Sequence, residues 1–279
     1  MLALLKKRVR RFMGLPPIDL QIEVSPYLKH LKGLVLNAGA GHRPVQIGLP
    51  TLTCDFDATA PVNFLADLHY LPLRDQCVDS ILSVAVLEHT RVPWVCIREL
   101  YRVLKPGGTA VICTPFLQPE HAVPHDFFRF TVYGLRSLLE WAGFQVEAIQ
   151  KLGRQRRVLG WILHEMIQVH GWGTRILLFP IAYRIALGAR TGEFPPYSIY
   201  SGSYAVAHKP GKPDCQLPVD MSEKKWFYPL LVDPVTKQSL KPTTDGLRNK
   251  NDQVYPIADG VVDLRPQGGL SQDAEVRWR

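Results

Sequence analysis

No two cysteines in this chain are spaced C-x-x-C, and the cysteines number five: Cys54, Cys77, Cys96, Cys113 and Cys215. An odd count without paired spacing argues against a disulfide framework and against a zinc knuckle. A reducing cytoplasm is the compartment it suits. The chain also lacks an apolar run of about 18 residues, the length that an ordinary transmembrane helix needs. Its first residues place the basic side chains after the apolar ones and have no long apolar core, which reads against a secretory signal. No stripe of interleaved basic and aromatic residues is present, which argues against a nucleic-acid partner. The composition, 46% hydrophobic and 21% charged, is that of a folded protein. The 279 residues suffice for one large domain plus a small one, or for one elaborated domain.

Charge is present in excess and unevenly. The net charge is +8, and Lys6, Lys7, Arg8, Arg10 and Arg11 supply five of the positive charges near the N-terminus. Leu2, Leu5, Val9, Phe12 and Met13 fall among them at helical spacing. Residues 1–14 therefore read as a short basic amphipathic helix, either a foothold on an anionic membrane surface or an arm in solvent or packed on the domain. Pro16-Pro17 ends it.

From Leu31 a repeating strand and helix pattern begins. Strands are expected at 33–37, 52–56, 62–65, 78–86, 109–114, 144–149 and 204–207, with amphipathic helices at 94–104 and 132–142. Thr131 reads as the N-cap of the second helix and Gly143 as its C-terminal glycine. The segment Pro44–Leu49 reads as a short, poor helix or a loop. Alternation of this kind predicts an α/β fold: a parallel, Rossmann-like sheet with helices on both faces. Ligands of such sheets sit at the carboxyl ends of the strands. The glycine turn Gly39-Ala40-Gly41, Asp55, Asp67 and Glu88 all fall at such ends. Their convergence on one edge means more than any one of them alone.

Residues 158–169 and 176–187 are two apolar segments split by Gly171-Trp172-Gly173. Each is too short to span a bilayer. They read as a helical insertion (about 155–190) packed on the domain, with a membrane-interface or lipid-accepting surface as the open alternative. Residues 211–225 read as a linker, and 226–266 as a small β-rich segment, dense in turn signals, that must lean on the main domain or on a partner. The tail, 267–279, carries no periodic pattern.

With these motifs placed, residues 31–210 resemble a class I S-adenosylmethionine-dependent methyltransferase of the type 11 group. The matching pieces are Val35-Leu36-Asn37-Ala38-Gly39-Ala40-Gly41, Cys54-Asp55-Phe56-Asp57, Ala66-Asp67-Leu68-His69, Val86-Leu87-Glu88-His89 and the run Glu99 to Gly108. The resemblance implies that Gly39 and Gly41 pass the backbone against the methionine part of S-adenosylmethionine. It implies that Asp55 accepts from both ribose hydroxyls, which suits a carboxylate with its two acceptor oxygens. By the same resemblance Asp67 takes the adenine amino group beside the Leu68 main chain, and Glu88 and His89 face the methyl group and the acceptor. Asn37 stands where such enzymes usually carry an acid, so it would accept a hydrogen bond without offsetting the cofactor's ammonium. The block His125-Asp126-Phe127-Phe128-Arg129-Phe130-Thr131 matches one common in type 11 relatives. His125 and Asp126 there read either as a base and orienting pair for a hydroxyl or as a loop lock in which Asp126 pairs with Arg129.

The C-terminal segment resembles the Trm112-like zinc-ribbon family through Leu230-Leu231-x-x-Pro234 and Tyr255-Pro256-Ile257-x-Asp259-Gly260. The zinc cysteines of that family are missing, and structural zinc requires thiolates. A metal-free descendant that supports the methyltransferase in cis is the expectation. The implied activity is methyl transfer to a hydroxyl of a glycan, lipid-linked precursor or other small molecule, at or near the inner membrane surface through 1–14 and 158–187. Two alternatives stay open: a non-catalytic scaffold of the same fold, and an RNA or protein methyltransferase.

Overall fold

The computed structural model describes residues 23–42, 44–121, 125–153, 158–159, 162, 180–181, 199–212 and 225–266. The basic segment 1–14, nearly all of the expected insertion, most of the linker and the tail lie outside the described residues.

Eleven strands form one sheet. In chain order they are β1 (Val35–Ala38), β2 (Thr51–Asp55), β3 (Phe64–Leu65), β4 (Val78–Val84), β5 (Leu104–Pro115), β6 (Gln145–Leu152), β7 (Gly202–His208), β8 (Lys241–Pro242), β9 (Gly246–Arg248), β10 (Val254–Ala258) and β11 (Val261–Asp263). Across the sheet the order is 6-7-5-4-1-2-3-11-10-9-8. Strands β3, β2, β1, β4 and β5 run parallel, and β7 lies antiparallel between β5 and β6. The order reverses at β1, whose neighbours are β2 and β4. The crevice beyond its carboxyl end is thus the switch point where open α/β sheets bind ligands.

Two longer helices are described. Helix α1 (Pro93–Val103) starts on a proline at its first turn and buries Cys96, Ile97, Leu100 and Val103. That spacing gives one apolar stripe facing the sheet. Helix α2 (Val132–Trp141) is capped by Thr131, whose hydroxyl accepts from Gly134 N–H at 3.0 Å. Both expected helices are found, with ends shifted by a residue.

The expectation of helices on both faces needs correction. The larger core, built on Leu36, Leu52, Phe64, Ile81, Leu100 and Ile112, lies under α1 and α2. The opposite face, Val35, Leu82, Val111 and Val206, is covered among the described residues by a short 3-10 turn at Ser25–His30 and by Val45, Ile47 and Leu49 of the β1–β2 connection. That connection carries Pro44, Gly48 and Pro50 and forms no helix. A run so short and so punctuated can cross over, but it cannot build helical turns as well.

The small β-rich segment expected to lean on the main domain or on a partner goes further, because its strands extend the sheet. Strand β11 pairs parallel with the two-residue β3, Val262 opposite Phe64, and β10, β9 and β8 follow antiparallel. Phe227, Leu230, Leu247 and Tyr255 enter the main core. Inside this segment the buried Asp233 carboxylate takes N–H groups from Val235 and Thr236, the Asn249 amide at 2.6 Å and the Tyr255 hydroxyl at 2.8 Å. One acid thus gathers four donors at this turn.

Candidate active site

Strands β1, β2 and β4 and the turn after β3 deliver their ends to a cavity of about 760 Å³. Its lining includes Gly39, Gly41, Asp55, Asp67, Leu68, His89 and His125. The chain bends out of β1 through Gly39 and Gly41, at φ +74° and +61°. Such angles cost a side chain strain that glycine escapes. A Cβ on Gly41 would meet no protein atom within 4 Å, so the backbone there is open to the cavity. Gly39 is tighter, because a Cβ would stand 2.4 Å from a methyl of Val86.

Two acids flank this turn, each held by its own partners. Asp55 accepts N–H groups from Gly41 at 2.8 Å and Asp57 at 2.9 Å, so it braces the glycine turn. Asp67 is 4% exposed and accepts both the N–H and Nδ1 of His69, at 2.9 and 2.6 Å. The other nitrogen of that ring, Nε2, accepts from Val92 N–H at 3.2 Å, which fixes His69 as a neutral imidazole donating through Nδ1. Sequence reading quoted His69 only as part of a motif. Its buried partnership with Asp67 makes it a support of the site.

Three expected site residues do not line the cavity: Asn37, Glu88 and Asp126. Asn37 is 3% exposed within β1. Glu88 is fully buried, and among the described residues neither carboxylate oxygen has a hydrogen-bond partner. Of the two readings of Asp126, orienting partner of His125 or loop lock with Arg129, the geometry matches the second. Its two oxygens pair with both Arg129 terminal nitrogens at 2.5 and 2.6 Å, and it accepts His121 N–H at 2.9 Å. The guanidinium holds its carboxyl well below the usual carboxylate range, so it is a loop lock and a poor proton acceptor.

The lock fixes a loop that returns to the cavity. His89 donates Nδ1–H to the His125 carbonyl at 2.6 Å, and Phe127 and Phe128 N–H donate to the Glu88 carbonyl. Beside His89, at 4.7 Å between ring centres, stands His121, which sequence reading missed. The Glu88 carboxylate, 3.6 Å from its Nε2, raises the His121 pKa above 6.5 against the opposing effect of burial. The described cysteines are buried and free, and burial pushes the thiols of Cys54, Cys77 and Cys113 up to about 12, so none is a nucleophile.

The rim is completed from far along the chain. The exposed ring of Phe56 lines the cavity, the Arg265 guanidinium lies 5.5 Å from its centre, and Arg265 donates to the Phe56 carbonyl at 3.1 Å. Arg265 follows β11, so the C-terminal strands buttress the cavity directly.

A parallel sheet reversing at β1, a glycine turn there, and acids at the next two strand ends define a Rossmann-like domain built for a nucleoside cofactor. The residues fit S-adenosylmethionine: an open backbone cradle at Gly41 for an amino-acid part, a braced carboxylate for a diol, and a buried acid one strand further for an amino-bearing base. Residues 52–112 match the family described as methyltransferase domain. The matched stretch, from β2 into β5, is thus similar to a type 11 methyltransferase domain. The chain is 36% identical over 87 residues to a "probable S-adenosylmethionine-dependent methyltransferase" of Mycolicibacterium smegmatis, covering 29% of this chain and 34% of that protein. It is 45% identical over 49 residues to a demethylmenaquinone methyltransferase of Streptomyces griseus, covering 18% and 21%. The matches thus span about a third or less of these relatives. A SAM-dependent methyltransferase structure from Archaeoglobus fulgidus aligns over 68% of this chain and 93% of its own, at 14% identity and a TM-score of 0.45. Among the described residues no helix is long and apolar enough to cross a membrane.

Proposed function

We propose that the whole chain is an active methyltransferase that moves the methyl group of S-adenosylmethionine to a hydroxyl of a glycan, lipid-linked precursor or other small molecule. The observation that carries this reading is one cavity holding the glycine turn, two braced acids and the imidazoles of His89 and His125. The Gly39–Gly41 backbone would hold the methionine part, Asp55 the ribose hydroxyls, and Asp67 with the Leu68 main chain the adenine. When bound, the cofactor supplies an electrophilic methyl on a sulfonium. Transfer is an in-line displacement in which alignment provides much of the rate. His125, exposed on the cavity, would take the acceptor's proton, since imidazole exchanges protons near neutral pH. His89 would set its position through the shared carbonyl, and Asp126 and Arg129 would hold the loop.

The C-terminal strands would act as a Trm112-like support in cis, through Arg265 on Phe56 and through Lys237, which reaches Glu99 at 2.6 Å. Asn37, uncharged where an acid is usual, favours a second reading: a scaffold that binds cofactor without turnover. Calorimetry with S-adenosylmethionine and its demethylated product is the test. The first reading expects binding that Asp55→Ala weakens, followed by transfer of labelled methyl to a fraction of a cell extract. Binding without transfer to any fraction supports the scaffold, and no binding at all removes both.

A further inference from the structure

Glu88 is a carboxylate with zero exposure, and among the described residues neither oxygen has a hydrogen bond. Buried acids elsewhere in this chain are satisfied: Asp79 by Lys105 and Leu34 N–H, Asp233 by four donors. A buried carboxylate needs either a proton or a cation. What faces Glu88 is two imidazole nitrogens. Nε2 of His89 and Nε2 of His121 each stand 3.6 Å from the same oxygen, Oε1.

With both rings neutral, each turns a lone pair, and no hydrogen, toward that oxygen. His89 Nδ1 lies 2.6 Å from the His125 carbonyl, and His121 Nδ1 lies 3.2 Å from the Pro119 carbonyl. A carbonyl only accepts, so each Nδ1 carries the hydrogen, and in a neutral ring Nε2 is then the acceptor. Three acceptor atoms therefore converge, all within 4.8 Å of one another. Such an array is repulsive without something positive at its centre. Ligand histidines characteristically donate the other ring N–H to a carbonyl or carboxylate, as both do here. Tetrahedral bonds of about 2.0–2.1 Å set ligand atoms about 3.3–3.4 Å apart, so the two 3.6 Å separations need only a small contraction, and the two imidazole nitrogens, within 4.8 Å of each other, close by a turn of the rings.

We propose that Glu88 Oε1, His89 Nε2 and His121 Nε2 form a binding site for one divalent transition-metal ion, with Zn²⁺ best suited to two imidazoles and a carboxylate. Partial exposure of the His89 and His121 side chains, 24% and 39%, gives the ion a way in. Three protein ligands leave positions for oxygen donors, and His89 lines the cofactor cavity. An acceptor bearing a hydroxyl could ligate there and approach the methyl group. That use of the site rests on the proposed methyltransferase reading, whereas metal binding does not.

The test uses the full chain without a histidine tag, titrated with Co²⁺ and followed by its visible absorption, then competed with Zn²⁺. Uptake of one ion per chain is expected. Glu88→Gln and His121→Ala should each weaken it more than the about 10–100-fold that losing an outer hydrogen-bonding partner brings. His208→Ala, remote from the cluster, should leave it unchanged. Thermal melts of the metal-free variants show that they fold, and Zn²⁺ should raise the parent's midpoint but not theirs. No saturable uptake, or uptake that survives both ligand substitutions, overturns the site. Calorimetry of the cofactor product on the same samples separates the two readings. Intact product binding without metal uptake removes the metal site alone, and metal uptake without product binding removes the methyl-transfer reading alone.

Discussion

Substituting Gly39 by alanine tests how the glycine turn meets the strand-four motif. Two costs add. At φ +74° a side chain sits in the left-handed region, at about 1–2 kcal/mol. The new methyl would also stand 2.4 and 2.8 Å from the two methyls of Val86, well inside contact distance. Val86 is β-branched and has few rotamers to escape into, and forced overpacking costs about 1–3 kcal/mol. The sum is about 2–5 kcal/mol, a large share of the about 5–15 kcal/mol that holds a typical domain. Gly41→Ala is the internal control, since its φ of +61° carries the strain but no atom lies within 4 Å of the new Cβ. Urea unfolding should therefore show Gly39→Ala losing clearly more stability than Gly41→Ala. Adding Val86→Ala should recover about 1–3 kcal/mol in the Gly39→Ala background through coupling of the two sites. Because Val86 lines the cavity, Gly39→Ala should also weaken binding of the cofactor product in calorimetry. Equal losses for the two glycines, or additivity with Val86→Ala, would refute the contact argument.

Asn37→Asp places a charge at a site 3% exposed, so the ligand-free midpoint should fall while affinity for S-adenosylmethionine rises; unchanged affinity means that Asn37 does not face the cofactor's ammonium. Arg265→Ala removes a cation–π contact worth about 0.5–1 kcal/mol, so cofactor affinity should fall about 2–5-fold with little change in urea midpoint. Lys105→Met strands the buried Asp79, and unfolding should show a loss of about 3–5 kcal/mol; a loss under about 1 would mean that the Leu34 N–H suffices. Burial raises the Asp233 pKa, but the donors Asn249, Thr236 N–H and Tyr255 O–H outweigh it and hold it below 3.8. Its stabilisation is then fully present above the unfolded value of 3.8 and lost as pH falls through the lower folded value. The gap in midpoint between parent and Asp233→Asn should close on acidification from about pH 5 toward pH 2, and a constant gap would count against the assignment.

The central strands β1, β2, β4 and β5 were legible because they are apolar runs, and such runs are local signals. What was not local was misread. The strand expected at 109–114 begins already at Leu104, directly after α1. The end of α1 is capped across the sheet by Lys209 Nζ, which reaches the Tyr101 and Leu104 carbonyls at 2.8 Å. Residues 226–266 read as a separate piece because their turns are dense. Their union with the sheet depends on the two-residue edge strand β3, which accepts β11 from about two hundred residues further on.

The site shows the same limit more sharply. A strand-end motif states where a residue falls along an edge and is silent on which way its side chain turns. Asp67 and Glu88 occupy equivalent strand ends and were read alike. The turn after Asp67 sends its carboxylate to the cavity and to His69. The turn Leu87–His89 buries Glu88 away from the cavity lining and against two imidazoles, one of them on a loop more than thirty residues later. His121 carries no sequence signal of its own, because its chemistry exists only once Asp126 and Arg129 have closed that loop over the end of β4. The half of the site proposed for the cofactor is therefore written in the strand-end motifs. The half that would choose the acceptor is written in a loop, and becomes readable only through its hydrogen bonds.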